Sequence, residues 1–329
     1  MIRSHSILLI GGIFMFALGC GSDQRTTEEP IATSEPTSTE PTSTAPDTAA
    51  TTAPTAQEPQ LPPVELVAGT PAEAPPKAPT IAIKAPTANQ VIPADKAGDF
   101  EVKLDLKGWD VPAGGNHVHL ILDGRPYKRI DDAKAPIKLK DLDPSYTLSE
   151  GQHVLVAFPS RSTHESVKPI GKAVPLAVTS FFVGKKGEAT WKPTDPTLVY
   201  SRPKGANDGP PPSEGILVDF YLANVELGDG KHSVEATLTG PGAEQGVKAS
   251  IKSWGPWRIK NPRDGAYKLR LALLDKDGKP VPGAWNDTTR DFTVNSKAPP
   301  PADHAHAPEP PAGEKKAEPA KKPEPAPKK

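Results

Sequence analysis

The chain has 329 residues, of which 42 are proline and 27 glycine, while aromatic residues make up only 5 %. That mixture is too poor in core-forming side chains to fold along its whole length. One cysteine excludes a disulfide framework within the chain and any cysteine-based zinc site, and a formal net charge of -1 excludes a strongly basic nucleic-acid binder.

Residues 1–20 read as a secretory signal: Arg3 gives the positive start, and Ile7 to Leu18 form an apolar run. The run is well short of the ~20 residues that span a bilayer. It ends in Phe16-Ala17-Leu18-Gly19-Cys20, which resembles the lipobox of bacterial lipoproteins, with Ala17 where that motif usually carries Leu. The resemblance implies that Cys20 is diacylated and becomes the new N-terminus; the alternative is an ordinary signal with an incidental cysteine. At ~0.8 kcal/mol per buried CH₂, two or three acyl chains anchor a protein essentially permanently. Gly21, rather than Asp, after the cysteine implies the outer membrane by the sorting rule of such lipoproteins.

Residues 21–79 form a Thr/Pro/Glu/Ala tract with no aromatic residue and nine acidic side chains against Arg25 and Lys77. Such a segment buries too little apolar surface to offset its ordering entropy, so it reads as a disordered tether. Residues 296–329 are rich in Pro, Ala, Lys and Glu and read as a second disordered arm.

Apart from Phe14 and Phe16, every aromatic residue lies between Phe100 and Phe292, so the core must lie there. That middle repeats itself. Leu106-Lys107-Gly108-Trp109 lines up with Leu222-Ala223-Asn224-Val225, and Val118 with Val234. Gly151-Gln152-His153 lines up with Gly265-Ala266-Tyr267, and Phe181-Phe182-Val183 with Phe292-Thr293-Val294. Within each copy the apolar period is 2, as in Phe100, Val102, Leu104 and Leu106. Gly114-Gly115, Asp229-Gly230 and Asp277-Gly278 supply turns between strands. About seven short strands per copy of ~100 residues predict an all-β chain. The expected organisation is two tandem Ig/fibronectin-like antiparallel β-sandwiches, residues 80–185 and 186–295, flanked by disordered arms.

The sharpest chemical feature is His117-Val118-His119. Residues i and i+2 of a strand point the same way, roughly 6–7 Å apart, so both imidazoles can reach one ion. Zn and Cu are the ions this donor type suits. Val118, Leu120 and Leu122 claim the core, so the histidines are expected to face outward, where a metal can enter. Copy two has Ser233 and Glu235 at these positions, so such a site belongs to copy one alone. His164, in a polar insert after a strand, is the better third ligand. His153 occupies the place of Tyr267, a tyrosine-corner position, and reads as a hydrogen-bonding corner residue. The alternative is two solvated or hydrogen-bonding histidines on a sheet face with no cofactor. His304 and His306 in the tail are a flexible pair suited only to weak Cu²⁺ or Ni²⁺ binding.

No catalytic motif is present: no nucleophile elbow, no phosphate-binding glycine loop, no His-Glu-x-x-His. His164-Glu165-Ser166 is adjacency along the chain, whereas triads meet in space. Asp275-Lys276-Asp277-Gly278 lacks the later ligands of a calcium loop and reads as a tight hairpin. Ser160-Arg161 with Lys168, and Tyr200-Ser201-Arg202-Pro203-Lys204-Gly205, put cations and an exposed-looking tyrosine near the junction of the copies. They fit an anion- or glycan-binding face or a lock between sandwiches; the lock is favoured because Trp191 and Tyr200 need burial.

Phe158-Pro-Ser-Arg161…His164-Glu-Ser166, Tyr200-Ser-Arg-Pro-Lys-Gly205, Val218-Asp-Phe-Tyr-Leu222 and Pro282-Gly-Ala-Trp-Asn286 are similar to segments of an uncharacterised family of bacterial envelope lipoproteins with tandem Ig-like domains. The resemblance spans about residues 80–295. It implies fold and envelope location and brings no chemistry. The His-x-His strand followed by Asp123 also resembles a periplasmic domain with a histidine-rich strand. The expectation is a non-enzymatic protein, lipid-anchored through Cys20, presenting sandwich modules to an envelope protein or glycan. The alternative function is Cu or Zn binding through His117, His119 and His164.

Overall fold

The computed structural model describes residues 61–300. The leader, Cys20, residues 21–60 of the acidic arm, and residues 301–329 with His304 and His306 lie outside the described residues.

The first strand, β1 (Glu65–Ala68), falls where a disordered tether is expected and is a correction to that reading. It pairs antiparallel with a strand of copy two, Glu65 opposite Lys260 and Ala68 opposite Trp257. Val64 is buried in the core of copy two and Leu66 packs against it. Two apolar side chains in register with an open sheet edge are enough to order a segment whose composition argues for disorder.

Copy one comprises β2 (Thr80–Ala85), β3 (Val91–Ile92), β4 (Glu101–Lys107), β5 (His117–Leu122), β6 (Lys128–Ile130), β7 (Ile137–Lys138), β8 (Gly151–Ser160) and β9 (Ala177–Val183). Copy two comprises β10 (Thr197–Arg202), β11 (Gly205–Asp208), β12 (Ile216–Ala223), β13 (Ser233–Thr239), β14 (Val247–Ile251), β15 (Trp257–Lys260), β16 (Gly265–Leu274) and β17 (Asp287–Asn295). Sheets β2-β4-β7 and β3-β9-β8-β5-β6 form the first sandwich. Sheets β1-β15-β12-β10 and β11-β17-β16-β13-β14 form the second, in the same order apart from the added edge strand β1. Neighbours are antiparallel except β3 with β9 and β11 with β17, again at matching places. The duplication read from the sequence is therefore a duplication of topology, and the fold is all-β with tandem sandwiches.

Period 2 fixes the faces. In β13, Val234, Ala236 and Leu238 are fully buried while the residues between them are half-exposed. Copy one buries Val118, Leu120, Leu122, Leu155, Ala157 and Phe181 among others, and copy two Phe220, Leu269, Leu271 and Phe292. Tyr267 closes its sheet corner as expected, its hydroxyl donating to Pro241 O at 2.7 Å and accepting from Arg263 N at 2.8 Å. Gly240 makes room for that ring: a Cβ there would sit 2.4 Å from it. His153 does the same work in copy one, with Nδ1 2.6 Å from Asp123 Oδ2 and Nε2 2.8 Å from Ser149 O.

A third apolar cluster joins the copies. Ile121, Val154, Val156 and Phe158 on the outer face of β5 and β8 pack with Val199 and Tyr221 on the outer face of β10 and β12, and with Trp191 of the connector. Phe158 stacks on Tyr221 with centroids 4.9 Å apart. The two sandwiches are thus joined sheet to sheet. Tyr200, expected at this junction and exposed-looking in sequence, instead enters the core of copy two, beneath Arg290.

Candidate metal site

The joined sheets change what β5 presents. All six of its residues are buried, and His117 and His119 are 0 % exposed. The expectation that they face outward into solvent is corrected: they point away from the core of copy one, as the alternation requires, but copy two covers that face.

His164 reaches them by a local turn. Arg161 N donates to Glu165 O and His164 N to Arg161 O, both at 2.9 Å, with His164 at φ 67°. This left-handed conformation is uncommon for a side chain with a Cβ, and His is among the residues enriched there. Ser160 then bridges Ser166, folding the excursion back on β8. The result sets the His164 ring edge-on to His117, centroids 4.7 Å apart, and buries it to 4 % exposure.

The nitrogens converge. His117 Nε2 lies 3.0 Å from His119 Nε2 and 3.0 Å from His164 Nδ1, and one ligand atom from each residue falls within 4.8 Å of the others. An ion held at ~2.0–2.1 Å from each nitrogen of a tetrahedral set needs nitrogens about 3.3–3.4 Å apart. Two of the separations are within a few tenths of an ångström of that value.

Proton bookkeeping shows what the cluster offers. His117 Nδ1 is 3.0 Å from Gly115 O, which only accepts, so Nδ1 carries the proton and Nε2 a lone pair. The Tyr127 hydroxyl is 3.1 Å from His164 Nδ1, and Arg202 Nη1 donates to it at 3.4 Å. Arginine only donates, so the phenol oxygen accepts from Arg202 and shares one proton with His164 Nδ1. His117 Nε2 thus offers one lone pair to two ring nitrogens at 3.0 Å, a place that either a shared proton or a cation can occupy. His119 Nδ1 lies 3.0 Å from Ser201 Oγ of β10, an outer contact that orients the ring as metal-bound histidines require.

Electrostatics keep His117 and His119 neutral. Burial, with Arg129 and Arg202 adding to it, pushes His117 down to about 4 against the opposing pull of its Gly115 hydrogen bond. Burial and then the neighbouring His117 and His164 hold His119 well below the ordinary histidine range. Neutral imidazole is the form that binds metal. His119 also stacks on Tyr127, centroids 3.5 Å apart and planes 10° apart.

The junction motifs act as a lock. Lys168 Nζ donates to Asp219 Oδ1 and Phe220 O, each at 2.7 Å, and Tyr221 Oη donates to Val167 O at 3.1 Å. Lys204 Nζ donates to Tyr127 O at 2.9 Å, and Arg161 to Glu73 O. The neighbours His164, Glu165 and Ser166 go separate ways: to His117, to Ala72 N and to Asp219. They form no triad. Asp275 accepts from Asp277 N and Lys279 N at 2.9 Å, a hairpin turn. A cavity of about 600 Å³ on copy two, lined by Ala206, Gly240, Ala266 and Thr293 among others, shares no residue with the histidine cluster.

Sequence reasoning identified all three histidines but missed Tyr127. Ser201, Arg202 and Lys204 entered it only as junction residues, since nothing in their local pattern ties them to β5. No family model and no curated protein matches the chain. Among solved structures it is similar to the fibronectin(III)-like modules of Clostridium thermocellum CbhA, 14 % identical, covering 66 % of this chain and 94 % of that one at TM-score 0.23. It is also similar to a structure of a 1.5-MDa bacterial ice-binding adhesin, 13 % identical over 68 % and 67 %, TM-score 0.21. A third is a putative membrane-anchored protein of Corynebacterium diphtheriae, 11 % identical over 66 % and 59 %, TM-score 0.19. At such TM-scores the likeness adds nothing to the fold, which rests on the sheets themselves.

Proposed function

We propose that this is a lipid-anchored protein of the bacterial envelope, held at the outer membrane through Cys20, whose joined sandwiches form a non-catalytic module binding one Cu or Zn ion. The observation that carries the metal reading is the convergence of His117 Nε2, His119 Nε2 and His164 Nδ1 in a buried cluster. Burial of all three ligands beneath copy two leaves a substrate little access, which favours holding an ion over turning over a substrate. Imidazole donors and the Irving–Williams order favour Cu²⁺, with Zn²⁺ next in fit.

Calorimetric titration of the mature protein, with His304 and His306 replaced by Ala, tests this. One-to-one binding of Cu²⁺ or Zn²⁺ is expected, and His117→Ala or His119→Ala should weaken it beyond the ~10–100-fold that losing an outer contact costs. Binding no tighter in the parent than in these variants would end the metal reading. The anchor is tested separately: Cys20→Ser should move the protein from the membrane to the soluble fraction.

A further inference from the structure

We propose that Tyr200, Arg202, Lys204 and Arg290 form a binding site for a phosphate group, where β10 and β17 of copy two meet the turn after β5. The site uses none of the three histidines and stands apart from the metal reading.

The repeat shows that the fold does not need these side chains. Both copies break the register of their first pairing at the same place, between Ile83 and Ala85 in β2 and between Tyr200 and Arg202 in β10. Copy one carries Ile83, Ala85, Thr87 and Thr179 where copy two carries Tyr200, Arg202, Lys204 and Arg290. One copy builds this corner without charge, and the other places three cations there.

Those cations lack counter-charges. Among the described residues no carboxylate pairs with Arg202, Lys204 or Arg290. Their hydrogen bonds go to neutral oxygens: Arg202 Nη1 to Tyr127 Oη at 3.4 Å, Lys204 Nζ to Tyr127 O at 2.9 Å, and Arg290 Nη2 to Gly124 O. Arg290 is only 9 % exposed, its guanidinium 4.9 Å over the Tyr200 ring. Its Nε, the Arg202 Nε and the Tyr200 hydroxyl are buried with no hydrogen-bond partner. A buried donor without an acceptor loses its hydration uncompensated, so three of them together call for an acceptor.

Electrostatics place them together. Burial, then Arg202, Arg290 and Lys128, push Lys204 down to about 8. The same two arginines act on the Tyr200 hydroxyl. Asp143, the acid that opposes them at Lys204 and Arg290, is already paired with Arg125 at 2.7 Å.

This chemistry selects the anion. Guanidinium forks match the oxygens of carboxylate and phosphate. Three uncompensated cations favour a phosphate group, with its charge of about −1.5 to −2 at neutral pH, over a carboxylate. Arg202 and Lys204 are half-buried, which leaves a path from solvent.

The test is calorimetric titration of inorganic phosphate, and separately of glycerol phosphate, into the chelator-treated mature protein at constant ionic strength. One-to-one binding of at least one probe is expected. Binding of inorganic phosphate alone identifies a free ion as the ligand; tighter binding of the ester identifies a phosphate carried on a larger molecule. Arg290→Gln and Lys204→Gln should each weaken affinity about 10-fold. Tyr200→Phe, which keeps the ring beneath Arg290 and removes only the unpartnered hydroxyl, should do the same with the phosphate-free melting temperature unchanged. If Arg290→Gln fails to fold, the other two variants decide. No binding of either probe to the parent, or unchanged affinity in the folded variants, overturns the proposal and leaves the metal reading untouched.

Discussion

Strands β5 and β13 are the same strand twice, and they do opposite things. Both bury alternate residues in their own sandwich: Val118, Leu120 and Leu122 in one, Val234, Ala236 and Leu238 in the other. The other face of β13 stays partly wet. There Glu235 pairs with Arg270 at 3.1 Å, the kind of half-exposed contact that contributes little. The same face of β5 lies under copy two, and its residues are His117, His119 and Ile121. Duplication supplies the frame, and covering one outer sheet and not the other supplies the site. Chemistry that a solvated sheet face could not hold in one protonation state is fixed where two sheets meet.

The largest effect expected from breaking this asymmetry lies at Tyr221. It is fully buried, stacked on Phe158 and edge-on to Trp254 at 4.9 Å each. Tyr221→Ala should cost about 3–5 kcal/mol in denaturant unfolding, while Glu235→Ala, on the half-exposed face of β13, should change stability by only about 0.5 kcal/mol. Equal effects would mean that the sheets are not held together through this face.

The next effect is in pH. Burial pushes His117 in the folded protein down to about 4, below its ordinary 6.5. Between those values the unfolded chain binds more protons, so stability is complete above about pH 6.5 and falls as pH drops toward 4. A shift of this size corresponds to about 3 kcal/mol. His117→Gln should flatten that limb of the metal-free stability–pH curve; an unchanged curve would show that the ring is solvated.

The smallest effect sharpens the comparison across the interface. Ser201 belongs to copy two yet contacts His119 Nδ1. Ser201→Ala should weaken Zn²⁺ binding about 10-fold in a competition titration while leaving the fold intact. An unchanged affinity would confine the site to copy one.

Much of this was legible in the sequence, and the failures are physical. Alternation and the repeat identified the strands, the sandwiches and the tyrosine corner, because those follow from local period and turn residues. His153 could be placed by its alignment with Tyr267. The outward-facing histidines were placed correctly relative to their own core but wrongly relative to water, because period 2 reports one face and is silent about a second domain. Residues 65–68 escaped for a related reason: a four-residue edge strand is stabilised by its partner near Trp257, far along the chain. Tyr127 carries no signal of its own, since only the folded chain brings its ring onto His119 and its hydroxyl to His164.

The central claim is that an ion sits between the sheets, not on a surface. Crystals of the mature protein grown with Zn²⁺, with diffraction measured on both sides of the zinc absorption edge, test it most directly. One anomalous peak is expected roughly 2.0–2.1 Å from His117 Nε2, His119 Nε2 and His164 Nδ1. A fully occupied crystal with its anomalous peaks only at exposed carboxylates or histidines, and none between β5 and β10, would contradict it.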